Sequence, residues 1–160
     1  MEISSRFGIT GREQRPLPRS YRNTSILLLL WGLAYLFLIA EALFIMRPDD
    51  FVRLVNVGMI LPGYSDYVQH LPTWIVGLTL LKGFSRVLGS VGLLLRKRWA
   101  VTMYALSLAM SCVIFFRGFL VDNRGAFEVP TQIGLDVAFF CLSIYALYFA
   151  MTAFFRGILR

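Results

Sequence analysis

The stretch Trp74-Ile75-Val76-Gly77-Leu78-Thr79-Leu80-Leu81-Lys82-Gly83-Phe84-Ser85-Arg86-Val87-Leu88-Gly89-Ser90-Val91-Gly92-Leu93-Leu94-Leu95 decides the fold. It has the ~20 predominantly apolar residues of a helix that crosses a bilayer, yet it carries two cations one helical turn apart. At ~100° per residue, Thr79, Lys82, Ser85, Arg86 and Gly89 share a face, while Leu80, Phe84, Val87, Leu88, Val91 and Leu95 look away from it. A charge near a bilayer centre costs at least ~2.5–3.5 kcal/mol, so the polar face must turn toward other helices. Ser85, Gly89 and Gly92 supply the small-residue spacing at which helix backbones approach closely in a membrane. The segment is therefore the central helix of a bundle.

Three further segments meet or nearly meet the same criterion: residues 24–46, 99–116 and 132–155. Hydrophobic residues make up 58% of the 160-residue chain and mean hydropathy is +0.68, beyond the ~45–50% apolar content of a soluble domain. No segment alternates with period two, as barrel strands would. The expected fold is an all-α membrane protein of four transmembrane helices in an antiparallel bundle, spanning 24–46, 74–95, 99–116 and 132–155. Residues 1–23, with Pro16 and Pro18 among arginines, read as a flexible basic tail. Ala40-Glu41-Ala42 has the small-x-small form of a cleavage site, but the apolar run before it exceeds the ~7–15 residues of a signal core, so the first span is expected to be retained.

The connections carry local signals. After Arg47-Pro48-Asp49-Asp50, the residues Phe51, Leu54, Val55, Gly58 and Met59 recur at helical spacing, which predicts a short interfacial helix in the first outer loop, stopped at Pro62-Gly63. Tyr104, Ala105 and Ala109 with Ser107, Ser111 and Cys112 give span three a small-residue character like that of Ser85, Gly89 and Gly92, so spans two and three are expected to form an antiparallel hairpin around the tight turn Arg96-Lys97-Arg98, with Ala105 and Ala109 among the packing positions. Asp122-Asn123-Arg124-Gly125 is turn chemistry and Pro130 precedes the last span. Phe115-Phe116-Arg117-Gly118 and Phe154-Phe155-Arg156-Gly157 are alike because aromatic and arginine residues anchor helix ends at interfaces.

Charge asymmetry predicts orientation. Arg6, Arg12, Arg15, Arg19, Arg22, Arg96, Lys97, Arg98, Arg156 and Arg160 fall on one side; Arg47, Arg53, Arg117 and Arg124, with Asp49, Asp50, Asp66, Asp122 and Glu128, fall on the other. The positive-inside rule then places both termini in the cytoplasm. The same bias accounts for the net charge of +7 without a nucleic-acid partner, and no recognition fold suggests one. The lipid bilayer is the expected partner, with anionic headgroups for the tail.

The candidate functional centre is an intramembrane charged cluster of Glu41, Lys82, Arg86 and Asp136, whose formal charges cancel. Counting ~1.5 Å per residue from the outer span ends, Glu41 lies ~7 Å deep, Asp136 ~6 Å, Lys82 ~12 Å and Arg86 ~18 Å. Lys82 is therefore expected to meet Glu41 or Asp136, while Arg86 takes backbone carbonyls, Ser85, Ser111, Ser143 or water. On span four, Gln132, Asp136, Phe139, Phe140, Ser143, Leu147 and Ala150 share a face. Three roles stay open: an ion-pair network that sets helix register, a polar cavity open to the outer side that binds an anionic or polar ligand or passes protons, and docking of another subunit.

The remaining inventory points away from catalysis. His70 is the only histidine, so no multi-histidine metal or haem site is expected, and Cys112 and Cys141 lie in different spans without a C-x-x-C. There is no phosphate loop or nucleophile elbow. Neither cofactor nor catalytic residue is expected. Trp31, Tyr35, Trp74 and Trp99 read as interfacial belts and packing.

In Gly89-Ser90-Val91-Gly92-Leu93-Leu94-Leu95-Arg96-Lys97-Arg98-Trp99-Ala100, preceded by Tyr67 and Leu71-Pro72-Thr73-Trp74, the chain resembles small four-span bacterial inner-membrane proteins of uncharacterised function, some labelled sugar transporters. It is more distantly similar to DoxX-like four-helix proteins, from which it departs by placing Lys82 and Arg86 in a second span where those proteins tend to carry an acidic residue. The resemblance implies four-span topology and a bacterial inner-membrane location, and transfers no catalytic residue. The expected function is a non-catalytic accessory or assembly component of a membrane complex. The alternative is a small-solute or proton-coupled carrier, acting as a homo-oligomer around the charged cluster.

Overall fold

The computed structural model describes residues 19–61, 63–123 and 129–160. The tail residues Arg6, Arg12, Arg15, Pro16 and Pro18, the loop residue Pro62, and Arg124, Gly125 and Glu128 lie outside them. Every regular element among the described residues is helical: α1 (Arg19–Ala40), α2 (Pro48–Asn56), α3 (Tyr64–Gln69), α4 (Thr73–Leu94), α5 (Trp99–Phe116) and α6 (Pro130–Phe155). α1 continues into a π-helical turn at Glu41–Ile45, and α5 into another at Arg117–Val121. Four helices are long and apolar enough to cross a membrane: Arg19–Ala40, Thr73–Leu94, Trp99–Val121 and Pro130–Phe155. The chain is an all-α, multi-pass membrane protein built as a four-helix bundle.

α1 begins at Arg19, so residues 19–23 are the first turn of a span rather than part of a flexible tail. Tyr21 explains the difference. Its ring is buried and stacks on Phe149 at 5.4 Å, and its hydroxyl donates to the Leu93 carbonyl at 2.9 Å. A tyrosine with both its apolar body and its polar tip satisfied draws the preceding turn into the helix.

Around the bundle, α1 packs on α4, α4 on α5 and α5 on α6. The circuit closes between α6 and α1 through rings: Tyr21 on Phe149, and Trp31 and Tyr35 on Phe139. α4 is the most buried span. It turns Lys82, Ser85, Arg86, Gly89, Ser90 and Gly92 inward and leaves Phe84 and Leu88 exposed, with Leu80 and Val91 half-buried.

Two ends of the bundle differ in character. At the first, called here the basic end, the turn from α4 to α5 sits beside the start of α1 and the finish of α6. There a Cβ on Gly89 would stand 3.0 Å from the Tyr104 ring, and one on Gly92 3.0 Å from the Ala100 Cβ. Arg96 takes a left-handed conformation (φ 57°), letting the Lys97 amide reach the Gly92 carbonyl at 2.8 Å and close the helix. Gly157 (φ 69°) then turns the chain back after α6, and Arg160 and the turn exchange backbone hydrogen bonds: Arg160 N–H to Arg96 O (2.6 Å) and Arg98 N–H to Arg160 O (3.2 Å). Leu159 is buried in the same cluster.

The expected packing face of α5 needs correction. Ala105 and Ala109 are exposed, whereas Ala100, Tyr104, Ser107 and Ser111 are buried. The buried positions follow the i, i+4, i+7, i+11 repeat of one helical stripe, and Ala105 lies ~100° off it. Large Tyr104 fills the groove opened by Gly89, and the small α5 residue at this crossing is Ala100, against Gly92.

At the opposite, lidded end, α2 and α3 occupy the loop between the first two spans. Asp50 caps α2 reciprocally: the Arg47 amide donates to its carboxylate at 2.9 Å, and its own amide donates to the Arg47 carbonyl at 3.0 Å. The sequence pattern points to that helix but not to α3, which restarts from Gly63 at φ 93°.

Candidate binding cavity

Arg86 is the hub of the bundle. It is 1% exposed and touches all three neighbouring spans. Nε donates to Ser107 Oγ (3.2 Å) and Nη2 to Ser111 Oγ (3.3 Å), both on α5; Nη2 also donates to Ser143 Oγ on α6. Its guanidinium carbon lies 4.3 Å from the Trp31 ring centre and 4.4 Å from that of Tyr35, both on α1. Each serine hydroxyl spends its proton on backbone: Ser107 on the Lys82 carbonyl, Ser111 on Ser107, Ser143 on Phe139. Their oxygens are thereby oriented as acceptors toward the arginine. The guanidinium thus replaces its hydration shell with three oriented hydroxyls and two ring faces.

That solvation is incomplete. Arg86 makes no ion pair among the described residues, whereas Arg117 at the end of α5 pairs with Asp122 at 3.2 Å. Its Nη1 is buried without a hydrogen-bond acceptor, and so is Nε1 of the adjacent Trp31. Both deficits are of acceptors. One helical turn toward the lid, Lys82 is 9% exposed and places its ammonium 4.7 Å from the Tyr35 ring centre.

Arg86, Lys82 and Asp136 line one chamber of about 50 Å³, together with Tyr35, Ser111 and Phe139. Tyr35, Lys82, Asp136 and Phe139 also line a second space of about 350 Å³ that continues toward the lidded end. Its walls are Leu38, Ile39 and Ala42 of α1 and Ile75, Val76 and Thr79 of α4, and its cover is Tyr64, Tyr67 and Val68 of α3 with Leu71 just beyond. A vestibule of that volume falls in the ~300–1,000 Å³ range of small-molecule sites.

The structure therefore gathers three of the four charged candidates. Glu41 is the exception: it sits half-buried in the π-helical turn of α1 and lines neither space. Residues 35, 38, 39 and 42 form the α1 stripe that faces the vestibule, and position 41 is ~100° away from Ala42. Counted depth puts Glu41 within the reach of a lysine stem from Lys82; facing separates them.

Sequence reasoning named Ser85, Ser111 and Ser143 for Arg86. The guanidinium takes Ser111 and Ser143, with Ser107 as the third. Ser85 is buried on the same helix and is not one of the guanidinium's three serine partners. The i, i+4 pair Ser107 and Ser111 was the signal that points to Ser107. The α3 cover was not anticipated, and the signal for it is Tyr64, Tyr67, Val68 and Leu71, spaced i, i+3, i+4, i+7. Another missed pair holds the basic end: Tyr104 and Ser90 hydroxyls lie 2.7 Å apart, and Ser90 donates to the Arg86 carbonyl at 3.0 Å. His70 is exposed at the end of α3, and Cys112 and Cys141 are half-buried and exposed.

Fold and cavity together define a four-helix, multi-pass membrane protein with a polar-floored pocket. The chain matches no known family profile, no curated protein and no solved structure.

Proposed function

We propose that this protein binds a small solute in the bundle cavity and acts as a small-solute carrier or binding component, in a bacterial inner membrane with both termini cytoplasmic. The observation that carries this is the vestibule of about 350 Å³ with Lys82 and Asp136 in its lining, continuous in its lining residues with the chamber at Arg86. Ionisable side chains buried in a membrane interior are rare and mark ligand or ion paths when they line a cavity. A network needed only for helix register has no use for a covered vestibule beside it. The cationic surplus at the basic end, from Arg19, Arg22, Arg96, Lys97, Arg98, Arg156 and Arg160, supports the orientation. The likeness to four-span inner-membrane proteins supports the location.

An accessory role in a larger assembly, or a homo-oligomer, is favoured by one observation: Ala105 and Ala109 face outward at the i, i+4 spacing that admits another helix. Native mass spectrometry of the full chain, extracted in mild detergent, separates the two. A retained small molecule, lost in Lys82→Gln, is the expected result. Stoichiometric foreign subunits with no small molecule would replace the carrier by the accessory component.

A further inference from the structure

From the charge and hydrogen-bonding balance of the chamber we infer that the ligand is an anion: one carboxylate or phosphate group on a compact apolar or aromatic body. This rests on the cavity being a ligand site, and it adds the ligand's chemistry. The chamber is lined by two cations, Lys82 and Arg86, and one carboxylate, Asp136, so its formal charge is positive by one. Glu41, which would have neutralised it, lies outside the lining. Arg86 is the group whose charge is met by neutral partners alone, namely three serine oxygens and two ring faces.

Hydrogen bonding points the same way. The two buried polar side-chain atoms without partners among the described residues, Arg86 Nη1 and Trp31 Nε1, are both donors. Of the two residues Arg86 lines the chamber and Trp31, its ring centre 4.3 Å from the guanidinium carbon, does not, and a group made only of acceptors complements the arginine. A cationic or purely donating ligand would add to the deficit. Size completes the assignment. A buried water needs ~10–15 Å³ of such space, so the chamber of about 50 Å³ suits one compact oxyanion group. The vestibule beyond it, walled by Leu38, Ile75 and Val76 and covered by Tyr64 and Tyr67, suits an apolar or aromatic body.

The same oxyanion could arrive on a free solute or on a lipid headgroup, and the test separates them. The full-length protein in nonionic detergent is titrated with 4-phenylbutyrate, with 4-phenylbutanol, with 4-phenylbutylamine and with phosphatidylglycerol against phosphatidylcholine. Thermal stabilisation and tryptophan emission are read, the latter because Trp31 lies against Arg86. The acid is expected to bind at least about tenfold more tightly than the alcohol, as one charge-assisted hydrogen bond predicts. Stabilisation by phosphatidylglycerol alone, and not by phosphatidylcholine, upholds the anion and assigns it to a lipid.

Two variants move the chamber charge in opposite directions. Lys82→Gln brings it to zero and should abolish the preference for acid over alcohol, while Asp136→Asn raises it and should strengthen that preference. A structural role for the two residues would weaken acid and alcohol binding alike. Equal binding of acid and alcohol, or tighter binding of the amine, would overturn the anion while leaving a ligand cavity in place. No binding of any probe, together with no co-purified molecule, would remove the cavity reading as well.

Discussion

The two halves of the bundle are made from the same four spans and obey opposite packing rules. Toward the basic end, helices meet through Gly89 and Gly92, aromatic Tyr104 fills the crossing, and the residues after Gly157 are clasped to the Arg96 turn by two backbone hydrogen bonds. Toward the lidded end, α1 and α5 both relax into π-helical turns, and the space between spans is a vestibule. π-helical turns are rare and gather at functional sites, because the extra residue per turn widens the helix and re-aims its side chains. The comparison teaches that one half holds the helices in place so that the other can stay open. Arg86 sits at the junction, bonded sideways to Ser107, Ser111 and Ser143, and marks the floor of the open half.

The largest effect should come from breaking the closed half. Gly89→Leu places a branched side chain where a Cβ already stands 3.0 Å from the Tyr104 ring, and overpacking of this kind costs ~3 kcal/mol. Loss of monodisperse protein after detergent extraction is the expected result, and a normal elution profile would mean the crossing is looser than described. Next, Leu159→Ala removes a side chain that is 3% exposed in the basic-end cluster, where such truncations cost ~2–3 kcal/mol. A clear drop in thermal midpoint should follow, and an unchanged midpoint would show that the clasp contributes nothing.

Smaller effects sharpen the contrast. Tyr104→Phe deletes the hydroxyl 2.7 Å from Ser90, and interhelical hydrogen bonds in membranes are worth ~0.6–1 kcal/mol. A modest, measurable fall in chemical-denaturation midpoint is expected. Val68→Ala, in the cover of the vestibule, should change stability by less than about 0.5 kcal/mol while altering ligand retention in native mass spectrometry. If Val68→Ala destabilised as much as Leu159→Ala, the lidded half would be as tightly packed as the other.

The spans, the α4–α5 hairpin and the inward face of α4 were legible because a bilayer imposes length and sidedness on every helix, and a residue such as Lys82 or Gly89 has few tolerable directions. The level of a residue along its own helix follows from counting alone. Rotation was less legible. Glu41 and Asp136 are equivalent by depth, and only the stripe of residues 35, 38, 39 and 42 tells that Glu41 turns away from the vestibule. Ala105 and Ala109 misled because small size permits close packing without requiring it; Tyr104, large and polar-tipped, was the residue that needed the Gly89 groove and the Ser90 hydroxyl. The start of α1 was set by Tyr21, whose partners Leu93 and Phe149 lie on other spans, so no local pattern announces it.

Cysteine accessibility tests the open-and-closed division most directly. In a Cys112→Ser, Cys141→Ser background, Thr79→Cys places a thiol in the vestibule, and Ser90→Cys places one three turns further along α4 in the closed half. A membrane-impermeant thiol reagent is applied from the lidded side to sealed vesicles. The predicted result is rapid labelling at position 79 and none at position 90. Protection of both positions, or labelling of both at similar rates, would contradict the division of the bundle into a closed half and a half open to ligand.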